Sequence, residues 1–346
     1  MLSCIFLFPI SFILFMEFTA IANSNIAIIK YWGKRDEKLI LPTNNSISFT
    51  MDEQLSTTTT VEFDSNLARD EVILDSKQAD EKEFARVHDF LNLVRARARI
   101  KIFAHVVSNN TFPKAAGLAS SASGFAALAG AASKAAGLNY SEKEISVLAR
   151  FGSGSATRSV YGGAVEWQKG NAIDGSDSYA IQLSSEKNWK NLRNIIAIID
   201  AEKKKVSSRA GMAETVKTSK LFRHRLEAVG TRFEIVRNAI KNNNFEAMAD
   251  TIMEDSDDMH ACMADTNPPI VYMNETSHKI AKTVRQLNGD SNEKIAAYTF
   301  DAGPNANIYT TNPKEVKSLL NEIEGIKKII ECKIGEGIHY SNKHLF

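Results

Sequence analysis

The chain has 346 residues, 44% apolar and 24% charged, a composition that builds an ordinary globular core without disulfides or structural metal. Its formal net charge of +1 gives no global field for nucleic acid or an acidic surface, so affinity for an anion must come from locally placed Lys and Arg. Cys4, Cys262 and Cys332 lie far apart, which fits a reducing compartment and excludes a disulfide framework or a zinc spacing.

Residues 1–15, MLSCIFLFPISFILF, are apolar and uncharged. They lack the basic n-region of a signal peptide. They also fall short of the roughly 18–20 residues needed to span a bilayer. They read as an extension upstream of a start at Met16, with a membrane anchor as the alternative. Residues 46–50 (SISFT) and 55–63 (LSTTTTVEF) alternate and are rich in β-branched side chains, so they predict strands. Phe84, Val87, Phe90, Leu91 and Val94 share one face of a helix over 81–99, and 100–108 predicts a strand. A loop of small residues and an Ala/Gly-rich helix to Gly137 follow. Over 141–151 a helix opens with Ser141 and Glu144 at capping-box spacing. A strand within 189–200 begins the second half. Helices follow over 217–242, 245–259 and 272–287. Strands over 295–299, 306–311 and 329–334, with a helix over 313–324, complete the chain. A strand-rich first half and a helix-rich second half predict an α+β protein of two lobes.

The first chemical signal is Pro113-Lys-Ala-Ala-Gly117-Leu-Ala-Ser120-Ser121-Ala-Ser-Gly124. The N–H groups of a helix N-terminus form an anion site; small residues allow close approach, and Ser120, Ser121 and Ser123 add hydroxyls. The Walker A pattern is absent. On its own the run fits a phosphate cradle and a capped, small-faced packing helix equally well.

Pro113–Ala122 resembles the P-x-x-x-G-L-x-S-S-A phosphate motif of the GHMP kinase superfamily, which includes galactokinase, homoserine kinase, mevalonate kinase and phosphomevalonate kinase. Four more segments resemble its diphosphomevalonate decarboxylase branch: Asn25-Ile-Ala-Ile-Ile-Lys30-Tyr-Trp-Gly-Lys34-Arg, Gly152-Ser-Gly-Ser155-Ala-Thr-Arg158-Ser-Val-Tyr-Gly-Gly, Val206-Ser-Ser208-Arg209-Ala-Gly-Met and Tyr298-Thr-Phe-Asp301-Ala-Gly-Pro-Asn305-Ala. All five occur in the family's order. The resemblance implies the two-lobed GHMP fold. Its N-terminal lobe, residues 16–190, resembles the second domain of a ribosomal small-subunit protein, and residues 191–346 form the GHMP C-terminal lobe, with the site in the cleft between them.

The resemblance also implies chemistry: ATP-dependent decarboxylation of mevalonate 5-diphosphate to isopentenyl diphosphate, with Mg²⁺. A substrate with a carboxylate and a diphosphate needs several cations; Lys30, Lys34, Arg158 and Arg209 supply four. Arg86 is a fifth candidate, with a solvated surface charge as the alternative. Asp301 is the expected general base or orienting group at the 3-hydroxyl, where a neighbouring cation keeps a carboxylate ionised; its alternative is a turn carboxylate. Ser155 and Arg158 are expected at the carboxylate end, and Tyr31, Lys34, Ser208 and Arg209 at the diphosphate. Trp32, Gly33, Ser153, Gly154, Ala156 and Thr157 complete the substrate segments; Thr157 stands where many relatives carry Cys. Asn110, Pro113, Ala116, Gly117, Leu118, Ala119, Ser120 and Ser121 are expected at ATP, with Ser121 also at magnesium. His260, in an Asp/His/Cys-rich segment without zinc spacing, reads as a structural helix end. Rival readings are a decarboxylase acting on the monophosphate, a 3-kinase of the same branch, or a non-catalytic binding protein on this fold. A cytoplasmic location and a homodimer follow from the resemblance; no nucleic acid or membrane partner is expected.

Overall fold

The computed structural model describes residues 17–112, 120–199, 206–291 and 293–346. The extension at 1–15 and the expected ATP-binding residues Pro113, Ala116, Gly117, Leu118 and Ala119 lie outside them. In chain order the first half forms β1 (Phe18–Asn23), β2 (Asn25–Ile29), β3 (Lys34–Asp36), β4 (Leu41–Pro42), β5 (Ser46–Thr50), β6 (Ser56–Asp64), β7 (Glu71–Leu74) and β8 (Lys77–Gln78). Helix α1 (Glu81–Ala98), β9 (Phe103–Asn110), α2 (Ser120–Ala135), α3 (Glu142–Gly152), β10 (Ala164–Trp167) and β11 (Ala180–Ser184) follow. The second half contributes β12 (Arg193–Ile198), α4 (Ser208–Thr218), α5 (Leu221–Lys241), α6 (Glu246–Ala264) and α7 (Glu275–Asp290). It ends with β13 (Ala296–Phe300), β14 (Ala306–Thr310), α8 (Pro313–Asn321), β15 (Lys328–Lys333) and β16 (His339–Ser341).

Three larger sheets organise these elements, and β3 and β4 form a separate two-stranded one. The first has the order β16-β1-β6-β9-β7-β8, the second β11-β10-β5-β2 and the third β13-β14-β12-β15. Helices α1, α2 and α3 cover the first sheet and share its core. The Ala/Gly composition of α2 allows close packing: a Cβ on Gly130 would clash with Ile338 Cδ1 and lie 3.3 Å from Ala20 Cβ. Ser141 caps α3 through the predicted capping box, and Asp80 with Glu83 does the same for α1.

The second sheet faces the third. Ile26, Ile28 and Phe49 share one apolar core with Ile195, Ile196, Tyr298 and the inner faces of α5 and α6. The last strand, β16, returns to pair with β1, Ile21 opposite His339. Sequence and structure differ most in the helices: α4 is not among the predicted ones, and two others have different ends. The helix expected over 217–242 begins at Leu221, because the Asp265 carboxylate accepts the N–H groups of Lys220 (2.6 Å) and Leu221 (3.0 Å) and ends the preceding turn there. The helix expected to stop at 259 continues to Ala264, so His260 lies within it and not at its end.

Candidate active site

β2 is buried at every position and delivers Lys30 directly beyond its last residue. The Lys30 backbone is fixed on both sides: its N–H donates to Asp255 Oδ2 on α6 (2.7 Å), and its carbonyl accepts from Asn44 Nδ2 (3.0 Å). Its Nζ lies 2.7 Å from Asp301 Oδ1, where β13 ends. The lysine side chain is 2% exposed and the aspartate 33%, so the pair is closed behind the amine and open in front of the carboxylate. Burial lowers the Lys30 pKa, opposed first by Asp301 and then by Asp255.

Arg158 lies in a 3-10 turn, Gly154–Val160, after α3. Its guanidinium donates to Asn25 Oδ1 and Ser48 Oγ from Nε, at 3.0 Å each, and to Ser46 Oγ from Nη1 at 2.7 Å. All three partners are neutral. Burial pulls its pKa down to about 10, against the opposing pull of Asp301. A desolvated cation held by neutral acceptors retains its attraction for an incoming anion. Asn25 also anchors the turn, donating to the Ser155 carbonyl and Ser159 Oγ.

A chain of hydroxyls joins this turn to α2. Ser155 Oγ lies 3.2 Å from Ser153 Oγ, which lies 3.2 Å from Ser121 Oγ. Ser120 and Ser121 open α2, whose first turn has no acidic residue, an electrostatic setting suited to polyphosphate. Ser121 is exposed. One exposed hydroxyl fits Mg²⁺, which is usually held by few protein ligands together with substrate phosphates and water. Among the described residues no group of three or more His, Cys, Asp or Glu is placed to hold a metal. Asn110 is already engaged: its side chain donates to Asp75 and accepts from Thr57 Oγ1.

Arg86 of α1 and Arg209 of α4 converge on the Gly152 carbonyl, at 3.2 and 3.4 Å. Burial and the charge of Arg209 lower the Arg86 pKa. Ser208 is the first residue of α4, which Ser207 caps by accepting from the Ala210 N–H. Two guanidiniums beside a helix N-terminus make an anion-binding corner. Tyr31 is packed edge-on to Trp167, with centroids 4.7 Å apart, and its buried hydroxyl has no hydrogen-bond partner among the described residues. Gly154 makes room for it: a Cβ there would sit 2.8 Å from both rings.

Other expected substrate residues have structural duties. Trp32 donates its indole N–H to Thr215 Oγ1 of α4 (3.0 Å) and is buried among Met212, Met259 and Met263. Gly33 has φ +119°, open to glycine, and a Cβ would lie 2.6 Å from Phe222. Lys34 pairs with Glu37 at 2.5 Å. Ala156 and Thr157 are fully buried, Ala156 in the core under α2 and α3. His260 lies close enough to Lys30 for that charge, after burial itself, to lower its pKa, to about 4. Sequence reasoning passed over the partners of Arg158: Ser46 and Ser48 project from one face of β5, and the signal was their i, i+2 spacing.

No helix among the described residues is long and apolar enough to cross a membrane. Two family models cover most of the chain: the diphosphomevalonate decarboxylase-like N-terminal domain matches residues 22–180 and the mevalonate 5-diphosphate decarboxylase C-terminal domain residues 194–340. A diphosphomevalonate decarboxylase of Candida albicans is 41% identical over 94% of this chain and 98% of its own length. The human one is 42% identical over 84% of this chain and 76% of its own. The solved mevalonate diphosphate decarboxylase of Staphylococcus aureus superposes with TM-score 0.88 at 37% identity, covering 94% of this chain and 98% of that one. A neighbour solved with MVAPP, AMPPCP and magnesium has TM-score 0.87 and 40% identity, covering 95% and 99%. Matches to both halves, at this identity and along nearly the whole length, leave one conclusion: the chain belongs to the diphosphomevalonate decarboxylase family.

Proposed function

We propose that this chain converts (R)-mevalonate 5-diphosphate and ATP to isopentenyl diphosphate, ADP, phosphate and CO₂. The observation that carries this reading is the Lys30–Asp301 pair, with its carboxylate open to the cleft and the buried Arg158 beside it. Asp301 orients the tertiary 3-hydroxyl and takes its proton as the oxygen attacks the γ-phosphorus of ATP and the bond from that phosphorus to ADP breaks. Magnesium supplies charge neutralisation on the transferring phosphate. Lys30 holds Asp301 in position, and the hydroxyls at the start of α2 face the nucleotide phosphates. The C3–O bond to phosphate then breaks. Arg158 and Ser155 hold the substrate carboxylate until the C–C bond releases its electron pair to the new double bond and CO₂ leaves. Arg209, Ser208 and Tyr31 hold the diphosphate, with Arg86 extending that corner and Lys34 joining it on leaving Glu37.

The diphosphate is favoured over a monophosphate because Arg86 and Arg209 converge on one carbonyl oxygen, which brings two guanidiniums into the same corner. The same reading includes a lobe boundary between residues 190 and 191, a cytoplasmic location and a homodimer; light scattering tests the last. Asp301→Asn tests the chemistry. ADP, phosphate and CO₂ release should all fall by about 10³-fold or more, within the range for loss of a positioned base. An active Asp301→Asn would overturn the assignment.

A further inference from the structure

Helix α6 holds Lys30 through its own backbone and Asp301 through the backbone of the residue before it. Asp255 Oδ2 accepts the Lys30 N–H at 2.7 Å, and the next residue, Ser256, accepts the Phe300 N–H at 2.9 Å, one position before Asp301. Neither Asp255 nor Ser256 is exposed at all. Successive residues on a helix point about 100° apart, so this dipeptide reaches β2 with one side chain and β13 with the other. The two strands belong to different sheets, and no ladder hydrogen bond sets their mutual register.

A buried carboxylate costs stability unless it is paired, and here the pairing is extensive. Arg225, with no exposed side-chain surface, donates from Nη2 to Asp255 Oδ2 (3.2 Å) and from Nη1 to the Asp255 carbonyl (3.1 Å) and Asp258 Oδ2 (3.1 Å). Arg232 reaches Asp258 at 2.5 Å. Well-packed apolar side chains would often hold α6 to β2 at no loss of stability. A charge kept there acts on what lies next to it, and that is Lys30.

We propose that Asp255 and Ser256 are positioning residues that set the spacing and alignment of Lys30 and Asp301, with Arg225 bracing Asp255 from behind. This rests on Lys30 and Asp301 being the reacting pair. The charged and titratable groups facing Lys30 are Asp301 beyond β13, Asp255 and His260 on α6, and Arg158 in the 3-10 turn; Arg225 and Arg232 face Asp255 from α5. Asp255 raises the proton affinity of Lys30, so removing its charge makes the ammonium easier to deprotonate.

The test uses the full chain with Ser256→Ala, Asp255→Asn and, as reference, Asp301→Asn. Ser256→Ala leaves no uncompensated charge and should fold. Its kcat should fall about tenfold, with KM for both substrates within about twofold of wild type, as expected for misalignment without lost binding. AMPPCP titration should still give one site per chain, which separates misalignment from a partly unfolded sample. In Asp255→Asn the alkaline limb of kcat should move down by about one pH unit, a shift that general destabilisation does not produce. Wild-type kcat in Ser256→Ala, or an unmoved alkaline limb in folded Asp255→Asn, overturns the proposal while an inactive Asp301→Asn leaves the underlying reading intact. An active Asp301→Asn overturns that reading instead. Should Asp255→Asn not fold, Ser256→Ala alone decides.

Discussion

Arg158 shows how a single side chain can be charged, buried and still available. Its neighbours Asn25, Ser46 and Ser48 satisfy the guanidinium geometrically without cancelling its charge. Lysine cannot reproduce that fork. Arg158→Lys should therefore fold and lose about 100-fold in kcat/KM for mevalonate 5-diphosphate, in line with removal of a preorganised donor; steady-state kinetics checks this. His260 gives a different prediction. Burial favours its neutral form, taking its pKa from 6.5 to about 4. The stability this contributes is complete above pH 6.5 and is lost as pH falls toward 4. Denaturant unfolding across that window should show a falling midpoint, with a shallower fall in His260→Gln. Lys30, Arg158 and Asp301 were singled out through the segments that resemble the family, and only Lys30 and Asp301 also stand in or beside apolar runs. Asn25, Ser46, Ser48, Asp255 and Ser256 were not read as site residues, because a neutral or acidic side chain acquires that meaning only from a partner distant in sequence.

Among the elements, the 3-10 turn Gly154–Val160 does the most with the least. It carries Ser155 and Arg158, and its first residue fits under Tyr31 and Trp167 without room for a methyl group. Gly154→Ala should displace Tyr31 and lower kcat/KM about tenfold or more; a fluorescence change from Trp167 would report the shift. Alternation in residues 55–63 and helical periodicity in 81–99 were plain in the sequence; the helix follows from one buried face, whereas β6, between β1 and β9, is buried at most of its positions. Helix α4 was not plain. Its buried residues are only Gly211, Met212 and Thr215, too few for an amphipathic stripe, and it is fastened by the Trp32 indole from another segment. The break before α5 was equally hidden, since the capping Asp265 lies 44 residues from Leu221.

At the scale of the whole molecule, the two halves are interleaved. The second and third sheets bury a common core, and the C-terminal segment closes the first sheet. Beyond the β16–β1 pairing, His344 Nδ1 lies 2.9 Å from Thr19 Oγ1, and the Leu345 N–H donates to Thr60 Oγ1. Deleting residues 339–346 should cost on the order of 2 kcal/mol, a few net hydrogen bonds, seen as a lower denaturant midpoint. The α+β class and the two-lobed architecture were legible from the order of elements and motifs. The return of β16 was not, because HYS is three residues long and carries no periodic signal. This interleaving also places Lys30 and Asp301, 271 residues apart, at hydrogen-bond distance.

The central claim is tested most directly by measuring ADP, phosphate and CO₂ together, with ATP, Mg²⁺ and each of mevalonate 5-diphosphate, mevalonate 5-phosphate and mevalonate. Equal amounts of all three products from the diphosphate alone are predicted. ATP consumption without CO₂, or turnover of the monophosphate in preference to the diphosphate, would contradict the account.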